Sequence, residues 1–329
     1  MHCALFASPT GSDATGNGSI NRPFSSPSKL DAALSPGQTG CLRAGRYGGL
    51  TTWHQIDRDG APSRRITLTA YPGESVTVVG DVEIDANYTT ISHLGIDGSN
   101  TFYKQHPAGV NCSAPASQPL TIVGHDDILE YDNYYQSVPS LRGNGIGVGF
   151  WGDADNTIIR YNRIHDVGSC QAYDHLIYLS HGNNVRIYDN WMWNDPHGRG
   201  IQLYPDPTNA RIWGNVIDNT GLGFGIGDEA GDQPTGNEIF DNVVMHSVGL
   251  RWENLGGAAI NVYWGGQPQS GNTFTDNDLF GVPAGVGYTP NLKVQGNVSV
   301  APRFVNATAH NYIPAAASAV AGWHLWNGQ

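Results

Sequence analysis

Six segments of the chain carry an Asn in one shared column: IIRYNRI, RIYDNWM, RIWGNVI, EIFDNVV, TFTDNDL and LKVQGNV. The residues are Asn162, Asn190, Asn215, Asn242, Asn277 and Asn297, and an apolar residue stands three before each: Ile159, Ile187, Ile212, Ile239, Phe274 and Val294. Successive Asn residues are 28, 25, 27, 35 and 20 apart, and Asn133 in LEYDNYY adds an imperfect seventh member. Units this short cannot bury an apolar face alone, so a repeat of this period must stack into a solenoid.

A second series runs out of phase with the first: GIGVGFW, LIYLSHG, GIQLYPD, GFGIGDE and AINVYWG. The two-residue pleat of a strand turns Ile146 and Val148, Ile177 and Leu179, Ile201 and Leu203, Phe224 and Ile226, and Ile260 and Val262 inward, and the residues between them outward. Two or three short strands per ~25-residue unit, joined by turns rather than crossover helices, wind into a parallel β-helix with coils ~4.8 Å apart. The recurrent Asn then has a structural role: it tolerates left-handed corners, and stacked amides bond from coil to coil.

Composition agrees. The 43 Gly with few Lys, Leu and Glu disfavour long helices. The predicted fold is all-β, one right-handed parallel β-helix over 1–329, with a cap at 1–50, coils from about 51 to 300 and a tail at 301–329. A net charge of −12, with 17 Lys and Arg against 29 Asp and Glu, argues against nucleic acid as a partner. No apolar run reaches the ~20 residues that span a bilayer. MHCALFASPT lacks the basic and long apolar regions of a secretion signal, so an exported chain would begin at its mature end.

Four cysteines without metal-type spacing allow three disulfide pairings. Cys3 and Cys41 each open a strand-like segment, and Cys112 and Cys170 sit in loops, so the expected pairs are 3 with 41 and 112 with 170. Such bonds imply a secreted or periplasmic location.

A solenoid leaves an open sheet edge at each end that needs covering. SSPSKLDAAL supplies a helix with Ser26 as N-cap, Pro27 at the first position and an apolar face of Leu30, Ala33 and Leu34. The order SPTGSD, PF, this helix, PG and GRY in the first fifty residues resembles the N-terminal cap of secreted right-handed β-helix proteins of the pectate-lyase-like superfamily, and the Asn-bearing coils resemble its repeats. The resemblance covers nearly the whole chain. It implies a polysaccharide or oligosaccharide partner and a monomer, but the superfamily spans lyases, hydrolases, methylesterases, epimerases and non-catalytic adhesins.

The outward residues of the second series form rows along the solenoid. The first is Gly147, Tyr178, Gln202, Gly225 and Asn261; the next is Gly149, Ser180, Tyr204, Gly227 and Tyr263. Phe150, His181, Pro205, Asp228 and Trp264 follow at the turn, and His175, Arg199 and Gly223 precede the strands. Glycines beside tyrosines and a Trp describe a groove with aromatic walls on which sugars can stack, with Gln202, Asn261, Tyr263 and Trp264 as substrate-binding candidates.

Cleaving a uronate polymer by β-elimination requires a base for the proton α to the carboxyl, a donor or cation for the enolate, and an acid for the leaving oxygen. His175 or Arg199 as base, Tyr178 or Tyr204 as acid and Arg199 or a metal as stabiliser meet those needs, and His181 joins the same cluster. In lyases of the resembled superfamily calcium on acidic side chains often assists, which makes Asp206, Asp228 and Glu229 candidates to hold it. Glycoside hydrolysis requires two carboxyl groups, for which Asp174, Asp206, Asp228 and Glu229 are available. The galacturonidase series of Asn-x-Asp, Asp-Asp, His-Gly and Arg-x-Lys is not found in order. In NDPHGRGIQLY, Asn194 to His197 read as a turn, and Arg199, Gln202 and Tyr204 project onto the groove. The expected function is thus a polysaccharide lyase, followed by a glycoside hydrolase and a non-catalytic carbohydrate-binding solenoid.

Overall fold

A computed structural model of the chain describes residues 2–99, 119–137, 143–168, 174–229, 231–250, 255–263 and 271–328. Two parallel sheets, of 11 and 13 strands, build a right-handed β-helix; a separate hairpin of Phe304–Asn306 with Asn311–Pro314 is antiparallel. Four long strands, Gly45–Ile56, Val76–Ile84, Trp191–Leu203 and Val216–Gly227, run through both halves of the larger sheet, which bends around the core and gives each coil three sides.

The two phases of the repeat occupy different sides. Ile159, Ile187, Ile212, Ile239 and Phe274 pair in register in the 11-stranded sheet, all fully buried. Ile146, Ile177, Ile201, Phe224 and Ile260 form the matching column on the larger sheet. Each side chain in these columns contributes about 1.5–3 kcal/mol by leaving water.

The Asn column is a hydrogen-bonded ladder. The backbone N–H and Nδ2 of Asn162 both donate to Oδ1 of Asn190, at 3.0 and 3.1 Å. The same pair of bonds carries on from Asn190 to Asn215, Asn242, Asn277 and Asn297. Two expectations change here. The left-handed residue is the one before each Asn, namely Tyr161, Asp189, Gly214, Asp241, Asp276 and Gly296, so Asn is present for its bonds and not for its backbone. And the ladder extends N-terminally through Asp132, whose N–H donates to Asn162 Oδ1 at 3.0 Å, because Leu129 and not Glu130 pairs with Ile159. Asn133 lies one residue outside it. A second ladder, Ala210 to Asn237 to Asn272, escaped the sequence reading although Asn opens both NEIF and NTFT.

The helix Pro27–Ala33 caps the N-terminal end, with Ser26 Oγ accepting from the Lys29 N–H at 3.1 Å. Leu30 and Leu34 are buried as expected, but Ala33 faces solvent. Asp31 is buried instead, because its Oδ2 accepts the N–H groups of Asp57 and Arg58 at 3.0 and 2.9 Å. A disulfide joins Cys3 to Cys41 in the first two rungs of the smaller sheet, as expected, with Cα atoms 5.6 Å apart. Cys112 and Cys170 lie outside the described residues.

Beyond residue 300 the chain turns back along the outer face of the larger sheet. Trp326 packs on Trp191 at 4.6 Å between ring centroids, and the buried Tyr312 donates its hydroxyl to Asp218 Oδ2 at 2.8 Å. His310 stacks on Trp193 at 4.5 Å, extending a ladder of Tyr135, His165 and Trp193. No helix among the described residues is long and apolar enough to cross a membrane.

Candidate functional site

The strands Asn144–Val148, His175–Leu179, Trp191–Leu203, Val216–Gly227 and Ile260–Tyr263 lie side by side in the register read from the sequence. Gly147, Tyr178, Gln202, Gly225 and Asn261 share one row, and Gly227 is opposite Tyr263. At the N-terminal end of this face the alternation breaks. A Cβ on Gly145, Gly200 or Gly223 would fall 2.5 to 2.6 Å from Ile164, Ile217 or Val244, so these positions, like Leu176 and Ala259, point inward together with the next residue. Residues 199 and 202 therefore both face outward. The same break corrects the row preceding the strands: His175 and Arg199 are followed by Leu222, and Gly223 lies inside.

Arg199 is only 1% exposed. Its guanidinium carbon lies 4.2 Å from the Tyr263 ring centroid, and it crosses Gly225, where a Cβ would stand 2.6 Å from its Cδ. A cation held over an aromatic face away from water gains about 2 kcal/mol. His175, on the adjacent strand and in register with Arg199, is 3% exposed and meets the Tyr178 ring edge-on at 5.2 Å. Tyr178 in turn packs against Phe150 at 4.9 Å. Gln202 is buried, and its Oε1 has no hydrogen-bond partner among the described residues. His175, Tyr178, Arg199, Gln202 and Tyr263 thus form one floor.

Asn261 is committed to the scaffold: Oδ1 accepts the Tyr288 N–H at 2.9 Å, and Nδ2 donates to the Val262 carbonyl at 3.1 Å. Trp264 lies outside the described residues. At the C-terminal rim, the half-buried Tyr204 donates its hydroxyl to Glu229 Oε2 at 3.2 Å. Burial, with the Glu229 charge behind it, pushes the Tyr204 phenol above its ordinary range. His181 Nδ1 is 2.8 Å from Ser180 Oγ, and its Nε2 is 3.3 Å from Asp206 Oδ1. Burial raises the Asp206 carboxyl and His181 pulls it down.

The expected calcium ligands do not assemble. Asp206 faces His181, Glu229 faces Tyr204, and no three His, Cys, Asp or Glu side chains gather to hold a metal among the described residues. Asp228 is 4% exposed with Oδ1 unpartnered among the described residues. A hard dication requires several oxygen ligands in one shell, so this set does not fit it.

Asp195 was read as part of a turn. It belongs instead to the continuous strand Trp191–Leu203, which bulges between Asp195 and Arg199. The bulge buries Asp195, 1% exposed, four residues before Arg199. Burial lifts its carboxyl to about 8, against the pull of the Gly198 and His197 N–H groups and the Arg199 charge. Asp174 is also fully buried, its Oδ1 accepting the Gly143 N–H at 2.8 Å.

A family model described as a right handed beta helix region matches residues 122–279. No curated protein matches the chain in sequence. Among solved structures, pectate lyase Pel9A is similar at 13% identity and a TM-score of 0.60, over 96% of this chain and 90% of that one. The Escherichia coli protein ybhc is similar at 12% identity and a TM-score of 0.54, over 91% and 85%. XylC in complex with xylose is similar at 14% identity and a TM-score of 0.50, over 84% and 69%. With the matched region, the stacked parallel sheets and the Asn ladder all in agreement, the protein has the fold of a right-handed parallel β-helix.

Proposed function

We propose that the chain is an exported carbohydrate-active enzyme that binds an acidic polysaccharide along this groove and cleaves it by β-elimination. The observation that carries the reading is the buried Arg199 held over Tyr263, in register with His175. Burying a cation and an imidazole side by side is costly for a scaffold, and polar groups so placed are characteristic of reaction sites. Similarity in fold to a pectate lyase and to a protein with xylose bound supports a sugar ligand.

In this reading the uronate carboxylate meets Arg199, which neutralises it and stabilises the charge that develops on the enolate. His175 takes the proton α to that carboxyl, and the Tyr178 hydroxyl protonates the departing glycosidic oxygen. Gln202 offers its free Oε1 to a sugar hydroxyl. The floor is nearly dry, which strengthens each of these interactions.

A second reading, glycoside hydrolysis, is favoured by one observation: Asp206, whose carboxyl burial raises and His181 pulls down, stands one coil from the exposed Glu229, a pair of carboxyl groups in unlike surroundings. One experiment separates them. The protein is incubated with polyuronates and neutral polysaccharides, with and without a chelator, following absorbance from unsaturated uronate ends and reducing sugar. Absorbance that rises on a polyuronate and is lost in Arg199→Ala and His175→Ala supports elimination. Reducing sugar without absorbance overturns it in favour of hydrolysis.

A further inference from the structure

Ser180, His181 and Asp206 form a chain of contacts that elimination does not use. Ser180 Oγ is 2.8 Å from His181 Nδ1, and His181 Nε2 is 3.3 Å from Asp206 Oδ1. Ser180 follows the strand His175–Leu179 in the outward row of the groove, one coil from Tyr204. The scaffold fixes all three residues. The Ser180 N–H donates to the Val148 carbonyl at 2.9 Å, and the Asp206 N–H reaches the Ser180 carbonyl at 3.4 Å. Gly149, with φ of 73°, lets the turn close, since a Cβ there would lie 2.3 Å from the His181 carbonyl oxygen.

The polarity of this chain suits an activated nucleophile. The Asp206 carboxylate, in charge contact with Nε2 at 3.3 Å rather than hydrogen-bonded to it, favours the tautomer that carries the proton there. Nδ1 then presents its lone pair to the serine hydroxyl, the arrangement in which a histidine removes the hydroxyl proton during attack. The side chains of His181 and Asp206 are about one-third exposed, 37% and 35%, while Ser180 is 5% exposed, so the relay meets solvent through His181 and Asp206 and the serine lies at its inner end.

We propose that Ser180, His181 and Asp206 hydrolyse a small acyl ester carried by a hydroxyl of the sugar bound in the groove. Ser180 Oγ attacks the ester carbonyl as its proton passes to His181 Nδ1. The bond from carbonyl carbon to sugar oxygen breaks, the sugar hydroxyl leaves with that proton, and the acyl group remains on Ser180. Water, deprotonated by His181, then attacks the acyl-serine, releasing the carboxylic acid and restoring the serine. No oxidant or metal is required. The proposal rests on the polysaccharide reading only for where the sugar lies.

The first test uses no polysaccharide, so its failure is distinct from failure of elimination. The full chain is treated with diisopropyl fluorophosphate and its peptides are analysed by mass. The expected result is one adduct on Ser180, absent in Ser180→Ala and formed at least a hundredfold more slowly in His181→Ala. Asp206→Asn, which keeps the size of the side chain, slows labelling without lowering the melting temperature and so guards against misfolding. The second test measures acetate released from O-acetylated polysaccharides and methanol released from a methyl-esterified polyuronate. Acetate supports the proposal. Methanol alone, no adduct, or an adduct on another residue overturns it.

Discussion

The guanidinium of Arg199 rests on the ring of Tyr263, across the bare backbone of Gly225 on the strand between them. That path exists because residue 225 has no side chain. In Gly225→Ala the new methyl would meet Arg199 Cδ and Nε at 2.6 and 2.9 Å. Flexible side-chain atoms yield there more readily than backbone, so the arginine moves and the coil stays. We expect a tenfold or greater loss of elimination activity, with stability within about 1 kcal/mol of the parent by urea unfolding. Unchanged turnover would show that Arg199 need not occupy this position.

Asp132 sits in the ladder where other coils have Asn, fully buried, with its carboxyl raised to about 8 from an ordinary 3.8. Burial is the main cause, opposed by the bonds it accepts from the Leu94 N–H and the Tyr134 hydroxyl. Between pH 4 and 8 the folded chain therefore holds a proton that the unfolded chain has released. The contribution of this group to stability falls as pH rises through that window. Asp132→Asn removes the titration, so its stability relative to the parent should increase from pH 5 to pH 8 by more than ~1 kcal/mol. A difference that stays flat across that range would mean that Asp132 is ionised in the fold.

Asn215 is buried in mid-ladder. It takes two bonds from Asn190, and its Nδ2 donates to Asn242 Oδ1 and to the carbonyls of Ile187 and Trp213. Asn215→Ala leaves several of these groups without partners and should cost about 2–4 kcal/mol. Asn297→Ala, at the partly exposed last rung, should cost less; equal losses would argue against a ladder whose worth depends on burial.

Trp326 ties the returning tail to the coils through Trp191, Tyr161 and Tyr131, with the Arg163 guanidinium carbon 5.0 Å from its ring centroid. Trp326→Ala should free the segment beyond residue 300 while the coils persist. Limited proteolysis would then trim the tail to a stable fragment, and trimming at the parent rate would place its anchor elsewhere.

The two apolar phases and the Asn column were legible in the sequence because each belongs to one rung, so spacing alone sets the register. The outward row from Gly147 to Asn261 followed from that register, and so did the grouping of His175, Tyr178 and Arg199. Features depending on geometry between rungs were not legible. Two adjacent inward residues at the corner exchanged Leu222 for Gly223. One residue of offset placed Asp132, not Asn133, in the ladder. The bulge that buries Asp195 looks in sequence like a polar turn, and Asp206 and Glu229 look like shared ligands only until their separate partners, His181 and Tyr204, are seen. Buried Asp31 reflects backbone donors 26 and 27 residues away, which no helical pattern reveals.

The ladder also has a polarity. From Asn162 to Asn277 each Nδ2 points to the next coil, and each Oδ1 from Asn190 to Asn297 points back toward the N-terminal end. Side-chain dipoles so aligned polarise one another and act as an extended dipole. Its negative pole is the Oδ1 of Asn162, which meets the N–H of Asp132. A negative carboxylate is poorly placed at that pole and a neutral carboxyl is not, so the stack that holds the coils together also favours the proton on the one acid that begins it.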